Sequence, residues 1–310
     1  MPGTDNGQRV LTWFDRVGNR IGSVGEPADY SNFRLSPDAK RIAEDRGRIR
    51  DRHLWIRDID RGTSTRLTFG DLVEKAPAWS PDGSRVLFTK DGDETEDGDS
   101  LYVVPADGSR PERLLVRYKK QQSPSGSRLT SVGRSSDWSP DGKWIVAEVG
   151  FPSSDLFLFD VNGGSARPFV NTRFSEGYPR FSPDGNWIAY TSDESGSVEV
   201  YVRPFPGPGA KIQVSPRGGH WPRWRRDGRE IFYISDDRRV MSTSFSSPPT
   251  PRVGVPAELF QTQIVNAMTN GLVDPFDVSP DGQRFLLMER AVDNASSIRA
   301  IVNWPALVDR

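Results

Sequence analysis

Residues 179–206 read PRFSPDGNWIAYTSDESGSVEVYVRPFP, and this stretch decides the fold. It holds a short segment ending on an apolar residue, a Ser-Pro-Asp-Gly turn, an apolar run, a polar loop and a second apolar run. Pro183 presets its φ near about −65° for the first corner of the turn. Asp184 can accept backbone N–H bonds, and Gly185 supplies the position where φ is positive. That is hairpin chemistry. A single copy says little, because the tetrapeptide suits many loops; recurrence along the chain is the signal.

Six turns of this kind align: Ser36-Pro37-Asp38-Ala39, Ser80-Pro81-Asp82-Gly83, Ser139-Pro140-Asp141-Gly142, Ser182-Pro183-Asp184-Gly185, Arg225-Arg226-Asp227-Gly228 and Ser279-Pro280-Asp281-Gly282. Successive aspartates are 44, 59, 43, 43 and 54 residues apart, so the unit is near the shortest interval and the second and fifth intervals carry insertions. A period of about 40 to 45 residues with four strands per unit is that of propeller blades. An apolar residue precedes each turn: Leu35, Trp79, Trp138, Phe181, Trp224 or Val278. After the turn comes a nearly continuous apolar run, such as Trp144-Ile145-Val146-Ala147 or Ile231-Phe232-Tyr233-Ile234. Continuous runs mean that both faces are covered, as in a blade sandwiched between two others. A third strand and a short outermost strand follow, for example Leu156 to Phe159 and Pro168 to Val170.

The reading is therefore an all-β propeller of four-stranded antiparallel blades, with residues 1–310 as a single domain. Residues 10–28 and 274–304 are expected to supply terminal strands that close the ring, which avoids exposed edges. The ends offer five strand-like pieces where one blade needs four. Six blades with a surplus strand and seven blades with one half present both fit that count, and six visible motifs favour six. Two turns depart from the pattern. Ala39 stands in the glycine place, where a left-handed backbone costs about 1 kcal/mol, so that turn is open to another geometry. Arg225-Arg226 replaces Ser-Pro but leaves Asp227 and Gly228, so that hairpin is expected to survive.

Composition narrows the function. The 29 Gly and 25 Pro are spread along the chain, which suits many tight turns. With 41 basic and 42 acidic residues the net charge is −1, so no long-range attraction pulls the molecule to nucleic acid or to a membrane surface. The chain has no Cys, which excludes disulfides, thiolate metal sites and cysteine nucleophiles. No run of about 18 apolar residues and no signal-type apolar core occurs in it. As written it reads as cytoplasmic and monomeric, and the strand-like LTWFD at residues 11–15 leaves room for a missing upstream portion.

At the level of turn and following strand, residues 30 to 290 resemble TolB-type propeller repeats, relatives of the WD-type repeats. More narrowly, LTWFDRVGNRIGSVGEP (11–27), DIDRGTSTRLTFG (58–70), NWIAYTSDESGSVEVYVRPFPGPG (186–209), PRWRRDGREIFY (222–233), VSPDGQRFLLMER (278–290) and IVNWP (301–305) are similar to the C-terminal propeller region of certain bacterial membrane-attached Ser/Thr protein kinases. That resemblance implies a sensing or protein-binding module, outside the cytoplasm if detached from such a kinase. The kinase motifs themselves are absent from the chain: there is no Gly-rich loop followed by Val-Ala-x-Lys, no His-Arg-Asp and no Asp-Phe-Gly.

Catalytic and metal readings find little purchase. The two histidines, His53 and His220, have no metal-ligand neighbour at useful spacing, and no Gly-x-Ser-x-Gly elbow occurs. The six turn residues Asp38, Asp82, Asp141, Asp184, Asp227 and Asp281 are read as turn caps rather than as a cation-binding ring. Asp91, Asp93, Glu94, Glu96, Asp97 and Asp99 alternate like a calcium loop, but Glu96 stands where the loop needs Gly and Tyr102 where it needs Glu. A solvated loop is the better reading. The first insertion carries Arg110, Arg113, Arg117, Lys119, Lys120, Arg128 and Arg134 against Glu112 alone, and is the candidate partner-binding patch, with a solvated loop as the plainer reading. Trp221, Arg223, Trp224, Arg225 and Arg226 interleave aromatics with arginines as nucleic-acid grooves do, but their place on an inner strand favours packing. The expectation is a non-catalytic module that binds a protein or peptide, without cofactor or metal. The alternative is a propeller enzyme or hydrolase-associated propeller, of lactonase or peptidase type, with a channel site. A TolB-like scaffold role is a further possibility.

Overall fold

The computed structural model describes residues 8–48, 51–92, 97–119, 121–122, 128–129, 132–150, 153–162, 166–207, 209–247, 250–264 and 274–291. They form six antiparallel blades around one axis, and no helix occurs among them. β1 (Arg9–Asp15) and β2 (Arg20–Ala28) belong to the last blade. Blade one is β3 (Tyr30–Leu35), β4 (Arg41–Arg46), β5 (His53–Asp58) and β6 (Ser64–Arg66). Blade two is β7 (Glu74–Trp79), β8 (Arg85–Lys90), β9 (Asp97–Pro105) and β10 (Arg113–Lys119). A small hairpin, β11 (Gln121–Gln122) and β12 (Arg128–Leu129), follows it in the insertion. Blade three is β13 (Val132–Trp138), β14 (Trp144–Val149), β15 (Asp155–Asp160) and β16 (Arg167–Val170). Blade four is β17 (Glu176–Phe181), β18 (Trp187–Ser192), β19 (Glu199–Pro204) and β20 (Ile212–Gln213).

In blade five, β21 (His220–Trp224), β22 (Glu230–Ile234) and β23 (Arg239–Ser246) are followed by two pieces that both pair with β23. These are β24 (Arg252–Val253) and β25 (Ala257–Gln261), so the insertion read from the fifth interval splits the outer edge. Blade six is built from both ends of the chain. β26 (Phe276–Val278) pairs with β27 (Arg284–Arg290), which pairs in turn with β1, and β1 with β2. The fifth terminal piece, residues 298–304, lies outside the described residues.

The continuous apolar runs are explained by blade stacking. Successive side chains of a strand point to opposite faces, and in β14 Ile145, Ala147 and Val149 meet Leu87, Leu101 and Val103 of blade two, whereas Val146 meets Ile188 and Tyr190 of blade four. The same division holds for β8, whose Val86 and Phe88 join Ala43 and Leu54 of blade one while Leu87 joins Trp138 and Ile145. The core is thus a circle of interfaces between blades, with no single centre.

Each turn is built as its residues dictate. Gly83, Gly142, Gly185, Gly228 and Gly282 have φ between 66° and 72°, and their N–H groups close the turn on the carbonyl three residues earlier. The serine hydroxyl donates to its aspartate, at 2.5 to 2.6 Å in the five Ser-Pro-Asp turns. The same hydroxyl accepts the N–H of the residue five places on, at 2.9 Å in each. Ser80, with Ser84 beyond it, holds the Asp82 carboxyl down to about 2. Ala39 takes the same left-handed conformation as the glycines, with φ 54°. In the fifth turn Arg225 replaces the serine: its guanidinium donates to both Asp227 oxygens at 2.8 and 2.6 Å, which holds that carboxyl near about 2 as well.

A feature with no sequence signature lies on the face opposite the turns. Glu176, the first residue of β17, is 1% exposed. Its Oε1 accepts Thr172 Oγ1 at 2.6 Å, but its Oε2 is buried without a partner among the described residues. Burial pushes this carboxyl up to about 7, against the Thr172 bond and with help from Asp155. Its folded value thus lies above the ordinary 4.5, so its favourable contribution is complete below that value and is lost as pH rises through about 7.

Two measurements test these structural arguments. Ala39→Gly is expected to relieve the left-handed alanine and raise stability by about 0.5–1 kcal/mol, seen as a higher denaturant midpoint at unchanged slope. Glu176→Gln is expected to raise the thermal midpoint by about 2 °C near pH 8 and to leave it nearly unchanged near pH 5, since only the ionised form resists burial. A gain of equal size at both pH values would show that ionisation of Glu176 is not the cause.

Candidate functional site

The six innermost strands deliver equivalent residues to the axis on the turn face. The residue two places before each turn lies deepest and gives a floor of Arg34, Ala78, Asp137, Arg180, Arg223 and Asp277. The next residue forms a wall of Leu35, Trp79, Trp138, Phe181, Trp224 and Val278. The turn prolines Pro37, Pro81, Pro140, Pro183 and Pro280 make the rim, with Arg226 in the fifth place. Together they enclose an open basin of about 330 Å³.

The floor is a network of paired charges. Asp274, just ahead of β26 and 5% exposed, sits among three arginines. Its Oδ2 meets Arg34 Nη2 at 2.7 Å and Arg180 Nη2 at 2.8 Å, and its Oδ1 takes Arg223 Nη2. Arg223 also donates from Nε to Asp277 Oδ1 at 3.1 Å and from Nη2 to the Phe276 carbonyl at 2.8 Å. Neighbouring blades are tied by backbone as well. Asp277 Oδ2 accepts Leu35 N–H at 2.9 Å, and Asp137 Oδ2 accepts Phe181 N–H at 2.8 Å. The indoles of Trp79 and Trp224 donate to the carbonyls of Arg34 and Arg180, at 3.0 and 3.2 Å. Three arginines against Asp137, Asp274 and Asp277 leave the floor formally neutral. Burial, then repulsion from Arg223, lowers the Arg34 pKa, while burial pushes Asp137 up to about 6 against the pull of Arg34.

Of the functional candidates singled out in the sequence, Arg223, Trp224 and Arg226 line the basin, and the others lie elsewhere. The turn aspartates are each engaged within their own turn, by a serine or arginine side chain and by a backbone N–H two residues on. Arg110, Arg113 and Arg117 are exposed on and before the outermost strand of blade two, and Lys119 ends that strand. Arg128 lies in β12 and Arg134 in β13, while Lys120 is outside the described residues. In the acidic loop Lys75 binds both Asp91 and Asp99, and Lys90 takes Glu112 at 2.7 Å; Asp93, Glu94 and Glu96 lie outside the described residues.

Both histidines begin strands on the face opposite the basin. His53 Nδ1 lies 3.0 Å from Glu74 and its Nε2 3.0 Å from Asp51, and His220 Nε2 lies 2.7 Å from Asp236. Among the described residues no group of His, Asp and Glu is placed to hold a metal ion. Trp221 is 2% exposed and packs edge-on against Tyr178, with ring centroids 5.8 Å apart, so it serves the core, whereas Arg223 belongs to the basin.

No protein-family model matches the chain. It is similar to an uncharacterised peptidase, YuxL, of Bacillus subtilis, 26% identical over 222 residues, which cover 59% of this chain and 32% of that protein. It is 27% identical to an uncharacterised protein, Atu1656, of Agrobacterium fabrum over 180 residues, 56% of this chain and 54% of that one. A TolB homolog of Chlorobium luteolum is 26% identical over 145 residues, 46% of this chain and 29% of that protein. The chain thus spans from about a third to about half the length of the first two of these relatives.

Among solved structures, a TolB of Agrobacterium tumefaciens described as putative superposes with a TM-score of 0.66 at 18% identity, covering 92% of this chain and 99% of that one. TolB of Acinetobacter baumannii gives 0.59 at 19% identity, covering 84% and 66%. An oligogalacturonate lyase in complex with manganese gives 0.60 at 14% identity, covering 94% and 88%. Six four-stranded blades closed by both ends of the chain, together with these likenesses, give this chain the fold of a TolB-like β-propeller.

Proposed function

We propose that the chain is a non-catalytic propeller module that binds a protein or peptide segment in the axial basin. The observation that carries this reading is the three-tier construction of the basin, to which every blade contributes the same three positions. Apolar walls and a proline rim offer contact area to an extended segment, and the neutral floor below them offers directional donors and acceptors. The floor arginines are already committed to Asp274 and Asp277, so they act as fixed donors rather than as proton carriers. The TolB-like fold supports a binding role, and the kinase-attached propellers that the sequence resembles support a sensing version of it.

The exposed row of Arg110, Arg113 and Arg117 is assigned as a secondary contact for an acidic stretch of the same partner. A second reading, a propeller that serves a hydrolase or is itself catalytic, is favoured by the peptidase name of the Bacillus subtilis relative.

Selection from a random peptide library on the purified chain is expected to yield binders, and Arg226→Glu at the rim is expected to weaken them about tenfold in calorimetry. Arg113→Glu with Arg117→Glu is expected to weaken only those with acidic residues. Failure to enrich any peptide, or turnover of peptide or oligogalacturonate substrates by the chain alone, would overturn the binding reading.

A further inference from the structure

The blades are related by an approximate sixfold repetition, so the floor of the basin can be read as one position sampled six times. At the junction of blades five and six, an arginine of one blade bonds an aspartate of the next. Arg223 of blade five donates to Asp277 Oδ1 of blade six at 3.1 Å, while the other oxygen of Asp277 accepts Leu35 N–H of blade one. Asp137 of blade three takes the same stance, with its Oδ2 on Phe181 N–H of blade four at 2.8 Å. The place in blade two that corresponds to Arg223 is held by Ala78, which lines the same cavity. Among the described residues no side-chain cation bonds Asp137.

We propose that the basin contains a subsite for an organic cation, the guanidinium or ammonium of an arginine or lysine side chain, which bonds Asp137 in the place that Ala78 leaves open. This rests on the reading of the basin as a peptide site and specifies which side chain that peptide presents there. The other arginines cannot fill the place without breaking existing bonds, because Arg34, Arg180 and Arg223 are all held by Asp274. A second observation marks the same junction as under-bonded. The Trp79 and Trp224 indoles reach the carbonyls of Arg34 and Arg180 in the preceding blades, whereas Trp138 Nε1, beside Asp137, is buried with no partner among the described residues.

A carboxylate partly withdrawn from water without a cation is costly to the free protein, and that cost is recovered when a ligand supplies one. The raised pKa of Asp137 agrees with this. The charges that act on it are Arg34 from β3 and Arg223 from β21, which together with Arg180 from β17 are paired with Asp274, just ahead of β26, and Asp277 within it. Binding of a cation is therefore expected to fall as pH drops through about 6, where Asp137 takes up its proton.

The test is calorimetric titration of the full chain with N-acetyl-arginine methylamide near pH 8, beside its neutral citrulline counterpart. Saturable binding of the arginine probe alone is expected, weakened about tenfold or more by Asp137→Asn, whose amide oxygen still accepts the Phe181 N–H. Ala78→Arg supplies the missing guanidinium from within and is expected to abolish binding while the thermal midpoint holds or rises. Asp137→Asn keeps the test decisive if Ala78→Arg fails to fold. Absence of arginine-probe binding, equal binding of citrulline, or wild-type affinity in Asp137→Asn would overturn the subsite. Library peptides that bind the rim without any basic residue would overturn the subsite while leaving the peptide reading intact.

Discussion

A blade that is apolar on both faces cannot stand alone, and that constraint governs the whole molecule. Each of the five blade-to-blade steps along the chain covers two faces, one on each blade, which leaves one face of the first blade and one of the last to be covered by each other. The β1–β27 ladder, from Arg9 opposite Arg290 to Asp15 opposite Arg284, builds the last blade from both ends of the chain. The cluster behind it draws Phe232 from blade five, Leu11 and Phe285 from blade six, and Tyr30 and Phe33 from blade one, all fully buried. The entropy of closing so long a loop grows only with the logarithm of its length. One well-packed interface can therefore offset it, and the axial basin exists because the ring is closed.

Much of the fold is legible in the sequence because its rules are local. The serine, aspartate and glycine of each turn act on atoms within five residues of one another, so they recur as a readable tetrapeptide, and the apolar runs report burial on both faces strand by strand. Even the two departures obey local chemistry: Arg225 reproduces the serine bond to Asp227 with its own guanidinium, and Ala39 accepts the glycine conformation. The basin obeys no local rule. Its floor takes one residue from each repeat, and its hub, Asp274, lies outside the repeat altogether. Lining up the residue two places before each turn would have revealed the ring, since Arg34, Asp137, Arg180, Arg223 and Asp277 are charged where an inner strand has reason to be apolar. The basic insertion, by contrast, is conspicuous in the sequence because its charges lie close together along the chain.

Burying three arginines at one axis is expensive unless their partners are exact in number and place. Each guanidinium withdrawn from water loses several kcal/mol of hydration, which mutual attraction recovers only with good geometry. Here Asp274 serves three arginines at once, and the carbonyls of Phe276, Pro222 and Ser136 take further N–H groups. Planar guanidinium suits this sharing better than ammonium would, because its donors are fixed in direction and one group can bridge a carboxylate and a carbonyl. The network also ties blade six to blades one, four and five through a single side chain, so the charge hub reinforces the closure that created it.

Repetition gives a propeller its stability, but recognition needs the repetition to fail. Six identical floor positions would present a ligand with six equal orientations and no way to choose among them. In this chain the floor charges from blade four round to blade one are paired with one another, while blades two and three offer a small residue beside a carboxylate that no side-chain cation bonds among the described residues. That difference gives the basin a direction: contact area is available all round the rim, but one sector alone lacks a positive charge. In the proposed reading, a segment that supplies that charge is fixed in rotation about the axis, and Ala78 beside Asp137 is what turns a near-symmetric opening into an oriented site.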